Sequence, residues 1–398
     1  MFVSRTARHK YELVILCLSA LAGCPGTGNP PINPFLDLPP IALDGEPHEA
    51  AYSIVPLGEF AAGEVLRLQA DGDNVEAVLV LAEYSVLAEE DFDDAGVIAG
   101  GGPANEPFQY RVRVPGRYYL FIQFDSQASS NQRATISAQT GDVGFVPPST
   151  QHVLVIFEDG FLSGKDPADP QFDPEATGLW DPESNTTEDR EFLASISGEV
   201  RDGVVERLRT IFLNTPVTIS TEADPLPPVP FSRVTLRPHR VLAEDTDVID
   251  AALPLVNVPP ECEDSLVIFG EVLPHGALRD PGNQKPDDEA VVNVGSFQGR
   301  GETCGSAAIN SVNNIILGLA HTAAHEIGHL IGLYHVPLTD IMDRSPTLAF
   351  QRELLFRRQQ ILLDARREDS DGNIDVTSVL LTSIYQDAAF YFQANFGE

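Results

Sequence analysis

His325-Glu326-Ile327-Gly328-His329-Leu330-Ile331-Gly332-Leu333-Tyr334-His335 is the stretch from which the rest of the chain is read. On a helix, residues four apart leave the same face, so His325 and His329 present ring nitrogens to one point. Glu326 stands beside the first of them, and its carboxylate can reach water at that point. Gly332 follows His329 by three residues, where a residue free to take positive φ ends a helix and swings the chain back. His335 then arrives as a third ligand. Three imidazoles leave the fourth tetrahedral position of a zinc ion open, which is the arrangement of a catalytic rather than a structural site.

The pattern H-E-x-x-H-x-x-G-x-x-H resembles the active-site helix of the metzincin zinc endopeptidases. Met342, in Asp340-Ile341-Met342-Asp343, matches the methionine turn of that family, and apart from Met1 it is the only methionine in the chain. The resemblance implies Zn2+ on His325, His329 and His335, with Met342 packed beneath them. It implies Glu326 as general base and a peptide or protein substrate. Gly328 and Leu333 resemble the matrixin branch. Val336, however, stands where matrixins carry serine and adamalysins carry aspartate, and no tyrosine follows Met342 by two residues as in astacins and serralysins. The subfamily stays open. His321 lies one turn before His325 on the same face, but a rise of about 6 Å per four residues carries it away from the metal and suits it to packing.

Working back toward the N-terminus, Val153-Leu154-Val155-Ile156-Phe157 is a continuous apolar run that suits a buried strand. Phe192, Ile196, Val200, Val204 and Leu208 recur every four residues, the stripe of an amphipathic helix. Strand candidates follow at Val217 to Ser220, Val234 to Leu236, Leu266 to Phe269 and Val291 to Val294. Strand, helix, four strands and an active-site helix starting near Ala307 is the order the resemblance implies. It leads to the expectation of an α+β catalytic domain over 151–368 with a mixed five-stranded sheet, a methionine turn and a C-terminal helix over Phe350 to Arg366. The tail, 369–398, has room for one more helix.

Residues 49–143 read differently. Phe108, Tyr110, Val112 and Val114 alternate with Gln109, Arg111 and Arg113, then Pro115-Gly116 leads into Tyr118-Tyr119-Leu120-Phe121-Ile122, which predicts a hairpin. Leu66, Leu68 and Ala70 alternate likewise, and Ala134 to Ala138 can close the sheet. An antiparallel β-sandwich domain is expected, and Tyr110 to Phe124 resembles the bacterial pre-peptidase C-terminal domain. The chain is therefore expected to be multidomain, as a length of 398 residues allows.

Charge narrows the partners. With 59 acidic against 25 basic side chains the net charge is -34, which repels nucleic acid and anionic membrane. Arg5, Arg8 and Lys10 precede a short apolar run, Leu13 to Leu21, as in a signal peptide spanning 1–23. Leu21-Ala22-Gly23-Cys24 resembles the lipobox of bacterial lipoproteins, which implies lipid on Cys24 and an anchor at the bacterial cell envelope, facing the periplasm or the cell surface. The Pro-rich stretch 24–48 suits a tether. Cys262 and Cys304 are expected to form a disulfide in that oxidising compartment. Asp369, Asp371, Asn373 and Asp375 around Gly372 resemble part of an EF-hand or dockerin-type loop for Ca2+, against the plainer reading of a solvated acidic turn. The expected activity is zinc-dependent endopeptidase. The alternative is a surface-binding lipoprotein whose zinc domain is vestigial.

Overall fold

The computed structural model describes residues 36–37, 51–72, 75–83, 96–124, 135–140, 148–165, 168–170, 173, 176–180, 186–241, 270–273, 280, 282–297, 311–336, 340–342, 354–356, 358–368 and 374–396. All of them fall in the compact unit Ile32–Glu398. The protein is a mixed α/β structure, largely sheet, with three sheets and three α-helices among the described residues. No helix among them is long and apolar enough to cross a membrane.

The first sheet has four strands, β1 (Leu36–Asp37), β3 (Val65–Asp71), β6 (Phe108–Arg111) and β8 (Thr135–Thr140), in the order β1-β8-β3-β6. Leu36–Asp37 fall inside the expected tether, yet pair antiparallel with β8. The second sheet has six strands, ordered β14-β15-β5-β4-β7-β2. They are β2 (Ala51–Phe60), β4 (Val75–Glu83), β5 (Gly96–Gly102), β7 (Gly116–Phe124), β14 (Gln359–Glu368) and β15 (Ile374–Gln386). Leu66, Leu68, Phe108 and Tyr110 of the first sheet share one core with Val78, Val80, Tyr118 and Leu120 of the second. The two sheets therefore pack on one core, with β14 and β15 joining from outside 49–143 and β15 parallel to β5, and the expected hairpin is absent: β6 pairs with β3, whereas β7 pairs with β2 and β4. The apolar alternation of β6 suits a sheet with one buried face. Tyr118-Tyr119-Leu120-Phe121-Ile122 is apolar on both faces and demands a strand covered on both sides.

That second cover is the rest of the chain. Leu79, Leu81, Ile98 and Phe121, on the opposite face of the six-stranded sheet, belong to the core that also contains the helix carrying the histidines. The third sheet has five strands, ordered β10-β9-β11-β13-β12. They are β9 (Gln151–Phe157), β10 (Val217–Thr221), β11 (Ser232–Arg237), β12 (Gly270–Leu273) and β13 (Glu289–Asn293). Four run parallel and β12, at the edge, is antiparallel to β13. The mixed five-stranded sheet matches the expectation, with its fourth strand starting at Gly270 rather than within Leu266 to Phe269, which lie outside the described residues.

Helix α1 (Thr187–Ile211) starts in a capping box between Thr186 and Asp189. Ile196, Val200, Val204 and Leu208 are buried, but Phe192 is 57% exposed. A strict four-residue repeat drifts by about 40° per step, so about 160° separates Phe192 from Leu208. Helix α2 (Val312–Leu330) starts after the N-cap Ser311, whose side chain accepts from Asn314 N, and not near Ala307. The expected C-terminal helix is overturned: Gln359–Glu368 is strand β14, paired antiparallel along β15. Gln359, Gln360, Leu362 and Leu363 are good helix formers, but pairing with the β-branched residues of β15 overrides so weak a preference. The tail ends in helix α3 (Ala388–Phe396).

A buried polar network closes the end of the third sheet where β9 and β11 begin. Gln151 Nε2 donates to Ser232 Oγ (2.6 Å), Ser232 donates to Asp288 Oδ1 (2.7 Å), and Asn283 Nδ2 donates to Gln151 Oε1 (2.8 Å). Loss of water pushes the Asp288 carboxyl up to about 8 despite the Ser232 bond. A carboxyl raised on folding favours the folded state below its unfolded value near 4, and that contribution is lost as pH rises through about 8. The unfolding midpoint is expected to fall between pH 5 and pH 8, and Asp288→Asn is expected to flatten that slope. Denaturant titrations at both pH values check it; equal slopes in the two proteins would refute the assignment.

Candidate metal centre

Helix α2 carries His325 and His329 on one face, and the turn after it brings round the third histidine. Gly332 has φ of +92°, as its place in the sequence predicts. Gly332 N donates to His329 O (2.9 Å) and Leu333 N to Gly328 O (2.8 Å), the paired bonds of a Schellman turn. The turn also presents the Leu333 carbonyl to His329 Nδ1 at 2.9 Å. Val336 N donates to Met342 O (3.0 Å), which brings 340–342 beneath the histidines and the Ile341 carbonyl to 2.7 Å from His325 Nδ1.

A carbonyl can only accept, so both Nδ1 atoms carry the proton and the neutral rings hold their lone pairs on Nε2. The three Nε2 atoms converge, with separations of 3.0 Å between His325 and His329 and 3.2 Å from each of these to His335. His325, His329 and His335 are 7%, 0% and 0% exposed. Buried acceptor lone pairs facing one another are costly unless a cation lies between them. Nitrogens about 2.0 to 2.1 Å from a tetrahedral ion would stand roughly 3.3 to 3.4 Å apart, a few tenths of an ångström wider than these. The residues therefore fit a metal ion, and they are the group among the described residues that could hold one.

Two close approaches shape the floor and wall. A Cβ on Gly328 would lie 2.2 Å from Met342 Sδ, so the absent side chain is what lets the buried methionine seat under the helix. Gly328→Ala gains about 1 kcal/mol of helix propensity but overpacks this contact, typically at 1–3 kcal/mol. The variant is expected to melt below the wild type in the metal-free state. A melting temperature equal to or above wild type would show that Met342 does not rest on Gly328. Glu326 is 2% exposed, and its Oε1 lies 2.3 Å from where a Cβ of Gly270 would stand. The carboxylate thus occupies the space that a glycine leaves open on edge strand β12. The next residue, Glu271, is held by Arg237 at 2.7 Å and is itself buried, which ties β12 back to β11.

The structure brings together His325, His329, His335, Glu326 and Met342, and leaves the other candidates elsewhere. His321 is buried and receives a hydrogen bond from Leu354 N (3.4 Å), in keeping with packing. Cys24, Cys262, Cys304, Asp369, Asp371 and Asn373 lie outside the described residues. Asp375 falls on β15 opposite Arg367, so the acidic segment is flanked by strands where an EF-hand loop is flanked by helices. Reading the sequence missed Gly270, which has no motif around it, and Gln386 and Tyr391, which meet the ligand turn from far along the chain. No protein-family model matches this chain, and no curated protein is significantly similar to it.

Proposed function

We propose that the chain is a zinc-dependent endopeptidase of the metzincin type. The observation that carries this reading is the convergence of three Nε2 atoms at 3.0 to 3.2 Å, with the buried Glu326 next in the chain to His325. A purely structural site would be expected to close its fourth position with a protein ligand, and no other His, Cys, Asp or Glu joins the three histidines among the described residues. Zinc bound there would supply Lewis-acid polarisation of a carbonyl and lower the pKa of a water toward about 7. Glu326 takes the proton of the attacking water and passes it to the leaving amine nitrogen. Met342 and the carbonyls of Ile341 and Leu333 keep the imidazoles aimed. β12, outermost in its sheet among the described residues, backs the Glu326 carboxylate through Gly270.

Cleavage of a peptide library by the purified protein, after chelation and again after zinc is restored, tests the activity. Cleavage is expected to stop and return. Undiminished cleavage in chelator, or no zinc bound under replete conditions, would sink the reading. We further propose attachment at the bacterial cell envelope through lipid on Cys24, on the strength of Leu21 to Cys24. Cys24→Ser is expected to move the protein from the membrane to the soluble fraction with its peptidase turnover kept; continued acyl-linked membrane association would refute it.

A further inference from the structure

His325 and His329 are placed by helix α2, but His335 lies beyond the Schellman turn, where the position of its ring depends on what holds 331–335. Two side chains from the C-terminal segment do so. Tyr334 N donates to Gln386 Oε1 at 2.6 Å, and Gln386 Nε2 donates to Tyr334 O at 3.0 Å. One amide therefore grips both main-chain groups of the residue before the ligand. Tyr391 OH donates to Ile331 O (2.6 Å) and accepts from Gly282 N (2.9 Å), which fixes the start of the turn. Gln386 is 2% exposed and Tyr391 is fully buried, so neither contact competes with bulk water.

These residues are held in turn by the N-terminal part of the chain. Gln386 ends β15, whose Ile384 and Tyr385 pair in parallel with Gly96 and Val97 of β5. Asn395 of α3 donates through Nδ2 to Ala99 O of the same strand (2.6 Å), and its carbonyl accepts from Arg113 Nε (3.0 Å). The third ligand is thus connected to β5 through one strand and one short helix.

We propose that Gln386 is a positioning residue for the third metal ligand, and that through it the zinc affinity of the site depends on the β15–β5 seam. The proposal rests on the reading of the histidine cluster as a zinc site. Metal ligands have to be held within about 0.5 Å of their working geometry. Without the amide, the two main-chain groups of Tyr334 lose their partners and His335 can drift while the other two histidines stay in place.

The test uses the full chain and Zn2+ alone. Gln386→Met keeps the volume and removes both hydrogen bonds; Gln386→Asn, one methylene shorter, can keep one of them. Zinc affinity is read by competition with a chromophoric chelator, and the rise in melting temperature on adding zinc is read alongside. Outer partners of metal sites are typically worth 10- to 100-fold in affinity, and about tenfold weaker binding is expected for Gln386→Met, with a smaller loss for Gln386→Asn. Val200→Ala, a cavity in α1 far along the chain from the turn, is expected to lower the metal-free melting temperature and leave zinc affinity alone. A merely structural Gln386 would behave like Val200. If either Gln386 variant folds and binds zinc as tightly as wild type, the proposal is overturned. If wild type binds no zinc, the site reading falls and the proposal with it. If Gln386→Met does not fold, the affinity of Gln386→Asn decides.

Discussion

Glu326→Ala is expected to hold zinc at wild-type stoichiometry and to lose peptide turnover by at least about 10²- to 10⁴-fold, the usual worth of general acid–base catalysis. The three nitrogens that converge belong to His325, His329 and His335, whose Nδ1 anchors at Ile341 and Leu333 do not involve Glu326. Removing the carboxylate therefore leaves the ligand set standing. It takes away the group that accepts the proton of the water and delivers it to the amine. The same carboxylate lies against Gly270 and is not one of the three converging nitrogens, so the metal-free variant is expected to stay folded. Zinc content, melting temperature and cleavage rate measured on one preparation separate these effects. Cleavage near the wild-type rate would end the mechanism, whereas loss of zinc from this variant would mean that Glu326 is a ligand.

His329→Ala is expected to fail earlier, at metal binding. Its Nε2 stands 3.0 and 3.2 Å from the other two, and no other donor group is placed to replace it among the described residues. Loss of a ligand should exceed the roughly 10- to 100-fold that loss of an outer partner costs. A protein saturated at about 1,000 times its Kd gains about 4 kcal/mol of stability from the metal. That gain should vanish in the variant, together with turnover. The Leu333 carbonyl also loses its donor, at about 1–3 kcal/mol for a buried group, so the metal-free variant should melt lower than wild type as well. The two substitutions therefore move opposite observables: Glu326→Ala keeps the zinc-induced rise in melting temperature and His329→Ala abolishes it. An undiminished rise in His329→Ala would place the metal elsewhere.

Much of the candidate site was legible because its geometry is local. Four residues of helix put His325 and His329 on one face whatever surrounds them, and Gly332 allows the left-handed turn that returns His335 to the same point. The continuous apolar run of β9 likewise marked a buried strand, while the mixed five-stranded sheet around it was an expectation of the family resemblance. Other features depended on which distant surfaces could be covered together. Pro115-Gly116 reads as a hairpin turn, yet β6 and β7 separate into two sheets because one has a single apolar face and the other has two. Gln359–Glu368 favours helix by composition, and becomes strand because β15 supplies a partner along its length. Gly270 against Glu326, and Gln386 against Tyr334, join residues more than fifty positions apart. Periodicity reports which face of an element is buried. It carries no term for which remote segment buries it, and that choice sets the walls of this site.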